Sequence, residues 1–106
     1  MLELGLKHES VMRVVDGNTA EYIGSGDMAV LATPAMVALM ENAAMLAVAK
    51  ELGEGETTVG SMISTSHLKP SKVGATVLAV AELVEVDGRK LTFKIAAYDG
   101  ETLIGE

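Results

Sequence analysis

Thr33, Glu41 and His67 are the residues of this 106-residue chain whose types and spacing suit proton transfer and attack at an acyl carbon. Glu41, with Asn42, interrupts an otherwise apolar run from Pro34 to Ala49. A helix apolar on every face belongs inside a protein. A carboxylate removed from water without a partner either binds a proton or finds a hydrogen-bonding group. Buried in this way, Glu41 is a candidate base or nucleophile. If the helix instead leaves a stripe open to solvent or to a partner subunit, Glu41 and Asn42 lie on that stripe. Thr33 stands at the expected helix start. There its hydroxyl is expected to cap an orphan N–H, with Pro34 at the first helical position. Free amides and the positive end of the dipole at that tip suit a developing oxyanion. His67 closes the segment Ser64-Thr65-Ser66-His67, where an imidazole can hold a proton for a leaving group or orient Glu41. His8, among charged neighbours, reads as a surface residue.

Eight residues of α-helix advance about 12 Å, so Thr33 and Glu41 of one helix cannot touch one small reacting group together. A shared site would therefore take Thr33 from one chain and Glu41 from another. Lys69 and Lys72 lie in the Lys69-Pro70-Ser71-Lys72 run just after His67, and on an acidic chain they can hold the phosphates of an anionic ligand or form a solvated loop. Gly60 and Gly74 flank His67 at equal distance, and glycine beside a strand often marks a bulge or a close approach of backbone to ligand. No Gly-rich phosphate loop, paired metal-ligand motif or nucleophile elbow is present, and no metal site is expected.

The elements that position these residues are legible as patterns. Leu91, Phe93, Ile95 and Ala97 alternate with mostly polar residues, which predicts a half-buried strand. The Val- and Leu-rich segment 76–86 pairs with it across the turn signal Asp87–Gly88, and Asp99–Gly100 marks a further turn. Thr57–Lys69 reads as another strand. Val11–Val15 and Thr19–Ile23 read as a short pair across Asp16–Gly17. The long helix is expected to begin at Thr33 and close near Lys50 and Gly53. The outline is α+β: a curved antiparallel sheet wrapped around one long central helix.

Composition narrows the function. The length suits one small domain. With an aromatic share of only 3%, Ala, Val, Leu and seven Met residues must fill the core. The net charge of −7 argues against nonspecific nucleic-acid binding, so no nucleic-acid partner is expected. Pro34, Glu41 and Asn42 within the apolar stretch make it a poor membrane span. The absence of Cys and of a charged, then apolar, leader fits a cytoplasmic protein.

Ala32-Thr33-Pro34, Val37-Ala38-Leu39-Met40-Glu41 and Ser66-His67 together resemble the fluoroacetyl-CoA thioesterase-like branch of the hot-dog thioesterases. The resemblance continues through Val84–Arg89 and Ala97–Gly100 and covers nearly the whole chain. It implies a single hot-dog domain over 1–106, assembled as a homodimer or dimer of dimers with active sites at the subunit interface. It implies hydrolysis of small to medium acyl-CoA thioesters, with catalytic roles for Thr33, Glu41 and His67. Contacts to substrate and CoA fall to Gly60 and Gly74, and coenzyme A enters as part of the substrate rather than as a cofactor. Relatives continue past a Gly-Glu like Gly105–Glu106, so the expected domain lacks a final edge strand. The Asp27–Leu31 segment offers no aromatic lid, so selectivity for a fluorinated acyl group does not carry over. The alternative is a noncatalytic acyl-CoA-binding hot-dog module. Glu41 and His67 together disfavour it, because binding alone needs no acid–base pair.

Overall fold

The computed structural model describes residues 2–106. Strand β1 (Lys7–Arg13) leads through a single 3-10 turn (Asp16–Asn18) and the short helix α1 (Ala20–Ile23) to the long helix α2 (Thr33–Val48). A second 3-10 turn (Ala49–Glu51) and an extended segment precede β2 (Thr76–Asp87), β3 (Lys90–Asp99) and β4 (Thr102–Gly105). The four strands form one antiparallel sheet in the order β1-β2-β3-β4, with α2 packed mainly on β1 and β2.

Periodicity explains both layers. Val77, Ala79, Ala81 and Leu83 occupy alternate positions of β2, and all are buried. On α2 the buried residues are Ala35, Met36, Leu39, Met40, Ala43, Ala47 and Val48, a stripe at helical spacing. Small alanines on the sheet leave room for Met36 and Met40, both fully buried. The opposite side of α2, with Ala38, Glu41, Asn42, Met45 and Leu46, is exposed on the single chain. Of the two arrangements the sequence allows, the open stripe is the one observed.

The β2–β3 hairpin forms where Asp87–Gly88 signals it. Its two-residue loop is Gly88–Arg89, with Asp87 still paired to Lys90. Gly88 takes φ +60 at the first loop position, the place of glycine in a type II′ turn.

Four expectations fail, for different physical reasons. Residues 11–15 and 19–23 do not pair. Asn18 accepts from Val15 N–H and donates to the Arg13 carbonyl, while the Thr19 hydroxyl bonds the Asp16 carbonyl and caps α1. These side-chain bonds compete with a hairpin and win, so β1 pairs with β2 instead. Thr57–Lys69 forms no continuous strand. Only its end is paired, through a bridge of His67 to Gly105 and two bonds between the Ser66 and Glu106 backbones. Val59 and Met62 are left 85% and 86% exposed, because no strand edge of the same chain lies alongside them. Thr33 does not cap α2: Ala32 is the cap residue, Thr33 is already helical, and no side chain caps the end. The helix then ends at Val48 and passes into the 3-10 turn, short of Gly53.

Gly105 lets β4 approach α2 closely. A Cβ there would lie 2.6 Å from Met36 Sδ, 2.7 Å from Met36 Cε and 3.2 Å from the Ser66 carbonyl oxygen. Because Met36 is fully buried, it has little room to yield. Gly105→Ala is expected to destabilise the fold by about 1–3 kcal/mol, as overpacked cores do. Urea unfolding checks this, and an unchanged midpoint would show that Met36 repacks freely.

Candidate functional site

Two polar clusters on α2 result from this architecture. At the helix start, Leu31 N–H bonds the Ser71 carbonyl at 2.8 Å, and Ala32 N–H bonds the Asn18 carbonyl at 2.9 Å. Val30 bridges to Lys72. The Val30 and Leu31 contacts tie the residues just before α2 to the 66–72 segment, which itself hangs on β4 through Leu68 N–H to the Ile104 carbonyl. The outcome is a direct contact: Thr33 Oγ1 and His67 Nδ1 are 2.8 Å apart. The hydroxyl either donates to a bare Nδ1 or accepts from Nδ1–H. Released from capping, the Thr33 hydroxyl makes its bond to His67.

The donors at this tip are fewer than a helix end normally offers. Pro34 has no N–H, and Ala35 and Met36 N–H both donate to the Ala32 carbonyl. The Thr33 hydroxyl and its own amide remain. A cavity of about 290 Å3 opens beside them, with Ser25, Leu31, Thr33, His67 and Lys69 among its walls. Burial lowers the His67 pKa from its ordinary 6.5, and the Lys69 backbone offsets part of that. The Nε2 atom is buried and has no hydrogen-bond partner among the described residues. A neutral imidazole with one nitrogen held and the other unpartnered can pass a proton to or from a ligand.

The second cluster surrounds Glu41. Its side chain is exposed on the single chain rather than buried, and it lies against Gly60, lining a cavity of about 220 Å3 with Gly60, Ser61, Met62 and Ile63. Within one chain His67 therefore meets Thr33, not Glu41. The expectation of an acid held away from solvent beside the imidazole does not hold for the isolated chain.

The remaining residues singled out in the sequence separate cleanly. Lys69 joins the Thr33–His67 cavity, whereas Lys72 is exposed on the Val30 bridge and outside that cavity. Gly60 touches the Glu41 carboxylate. Gly74 has φ +99 in the turn before β2, and nothing lies near the position of its absent Cβ. Its glycine is required by backbone conformation. Sequence reasoning missed one bond: Ser10 Oγ donates to Asn42 Oδ1 at 2.7 Å, linking β1 to the helix position next to Glu41. Among the described residues, no three His, Cys, Asp or Glu side chains gather as a metal site, and no helix is long and apolar enough to cross a membrane.

A long helix laid on an antiparallel sheet in this order is the hot-dog fold, and solved structures of that class superpose closely. The fluoroacetyl-CoA thioesterase FlK matches with a TM-score of 0.90 at 32% identity, over 99% of this chain and 82% of that one. A FlK variant in complex with fluoroacetate and CoA matches with a TM-score of 0.91 at 32% identity, over 98% of this chain and 88% of that one. A Thermus thermophilus member of the thioesterase superfamily matches with a TM-score of 0.90 at 28% identity, over 99% and 78% of the two chains. The family profile "FlK: Fluoroacetyl-CoA-specific thioesterase" matches residues 14–106, and the chain belongs to that family. The fluoroacetyl-CoA thioesterase of Streptantibioticus cattleyicolor is 42% identical over 76 residues, 72% of this chain. That match spans 55% of the relative's length.

The lowered His67 pKa has a thermodynamic consequence. The unfolded chain binds this proton more readily than the folded one. The stability contributed by neutral His67 is therefore complete above about pH 6.5 and lost as the pH falls through the folded value. The urea midpoint of the wild type is expected to fall more steeply below pH 6.5 than that of His67→Asn. Parallel pH profiles for the two proteins would refute it.

Proposed function

We propose that this chain is an acyl-CoA thioesterase acting on small to medium acyl groups, with a Thr33/Glu41/His67 site completed between two subunits. The observation that carries the reading is the Thr33–His67 hydrogen bond, with its unpartnered Nε2, in a chain of the FlK family. Glu41 lies eight residues further along the helix, about 12 Å away, beyond reach of that pair. A two-fold dimer that lays the open faces of α2 together would bring the Glu41 of one subunit toward the Thr33–His67 pair of the other. The exposed Val59, Met62 and Ile63 beside Glu41 are apolar surface that such an interface would cover.

In this mechanism the Thr33 hydroxyl and amide polarise the thioester carbonyl. Glu41 takes a proton from water, whose oxygen adds to the carbonyl carbon, or attacks that carbon itself and leaves water to open the anhydride. In either route the carbon–sulfur bond breaks, and His67 relays a proton to the departing thiolate. The products are a carboxylic acid and CoA. Lys69, beside the cavity, supplies positive charge for CoA phosphates, and Lys72 adds to it from the adjoining loop. Without an aromatic residue in Asp27–Leu31 to close over a two-carbon acyl group, the site fits a broader range of apolar chains. A cytoplasmic setting, where acyl-CoA is made and used, fits a chain with no Cys.

Thiol release from a panel of short and medium acyl-CoAs tests the reading. Glu41→Gln is expected to lower kcat by roughly 10²–10⁴-fold, the usual scale for losing a general acid–base group. Tight binding of acyl-CoA without thiol release would replace it with the noncatalytic alternative. The shared site has its own test. Thr33→Ala and Glu41→Ala proteins, each inactive alone, are expected to regain activity when mixed and allowed to exchange subunits. Continued inactivity despite proven exchange would count against a site shared between subunits.

A further inference from the structure

The side of the sheet that faces away from α2 departs from the alternation of a half-solvated sheet. Val77, Ala79, Ala81 and Leu83 of β2 are buried against the helix, so Leu78, Val80 and Glu82 point outward. Strand pairing carries that outward side across all four strands. Val11 stands beside Leu78, Leu78 beside Tyr98 and Tyr98 beside Leu103, and the next row is Glu9, Val80 and Ala96. A sheet with one wet face places polar residues at such positions, whereas a strand covered on both faces reads as a continuous apolar run. Val77–Ala81 is a run of that kind. The patch is also bounded. One row further on, the outward residues are Lys7, Glu82 and Lys94, and alternation returns. On the single chain Val11 is 62% exposed, and Leu78, Val80, Tyr98 and Leu103 are half-buried.

We propose that this outward face docks a second copy of the chain, sheet against sheet, about a two-fold axis that runs along the Val11–Leu78–Tyr98–Leu103 row. Charge selects the second copy as the occupant. Glu9 and Arg13 both point outward from β1, on opposite sides of Val11. An axis along the row lays each strand, reversed, over its own counterpart. Val11 then meets Val11 of the second copy, and Glu9 of each copy lies over Arg13 of the other. Packed sheets stand about 10 Å apart, a gap that these two long side chains bridge from either side. The face lies across the sheet from α2 and from both polar clusters. It would join site-forming dimers into a dimer of dimers, and it does not depend on the thioesterase reading.

Light-scattering mass on a sizing column tests the proposal. Val11→Lys puts a charge at one end of the apolar row, in a position exposed enough to leave the chain folded. It is expected to halve the mass, from four chains to two. Glu9→Arg and Arg13→Glu each set like charges face to face, which opposes association. Each is expected to raise the dissociation constant of the sheet contact by at least about 10-fold, and the double swap to recover most of that loss. A fall from two chains to one in Val11→Lys would support the sheet contact and count against the site-forming dimer. A mass that Val11→Lys leaves unchanged would overturn the proposal and leave the face to another partner or to solvent. Charge losses that the double swap fails to repair would overturn it as well.

Discussion

Helix α2 is a rigid ruler. Its rise of 1.5 Å per residue holds Thr33 and Glu41 about 12 Å apart whatever the loops around it do. One end of that ruler is fixed by the Thr33–His67 hydrogen bond at 2.8 Å, and the other carries a carboxylate seated against a glycine. On the proposed reading, a single chain holds two half-sites on one rod, and chemistry that needs both must bring a second rod alongside. The proposed dimer follows from this separation, because apolar surface alone would permit many other packings.

The two half-sites differ in how they are supported. The imidazole is held by a network: Ser66 and Leu68 hang on Glu106 and Ile104, and Val30 and Leu31 clasp Lys72 and Ser71. That network joins β4, the start of α2 and the 66–72 segment, so the placement of His67 draws on the whole sheet. The carboxylate has no hydrogen bond of this kind. It lies against Gly60, where no side chain stands opposite it.

Much of this was legible in the sequence. Alternation in β3, the Asp87–Gly88 hairpin signal and the apolar run of α2 are short-range patterns, and each formed the element it announced, whereas Asp16–Gly17 formed no hairpin. Thr33, Glu41 and His67 stood out by residue type and spacing, and the structure brings Thr33 and His67, but not Glu41, together within one chain. The failures were of another kind. Asn18 and Thr19 choose between hairpin and helix by side-chain bonds to nearby backbone, which strand propensity does not capture. Residues 57–65 have the composition of a strand but no edge to join, and pairing is a property of the tertiary neighbourhood rather than of the segment. The pairing of Thr33 with His67 rather than with its own helix amides depended on Ala32 taking the cap position, a shift of one residue.

The Ser10–Asn42 bond bears on how α2 sits about its own axis. A helix apolar on both sides gains little hydrophobic preference for one azimuth over another. Side-chain tips lie about 5–6 Å from a helix axis, so a roll of 30° would carry them some 3 Å sideways. The bond from β1 is made at the residue adjoining the acid, and it acts as a keyway against that roll. An ordinary serine on β1 therefore helps set the angular phase at which the carboxylate is presented.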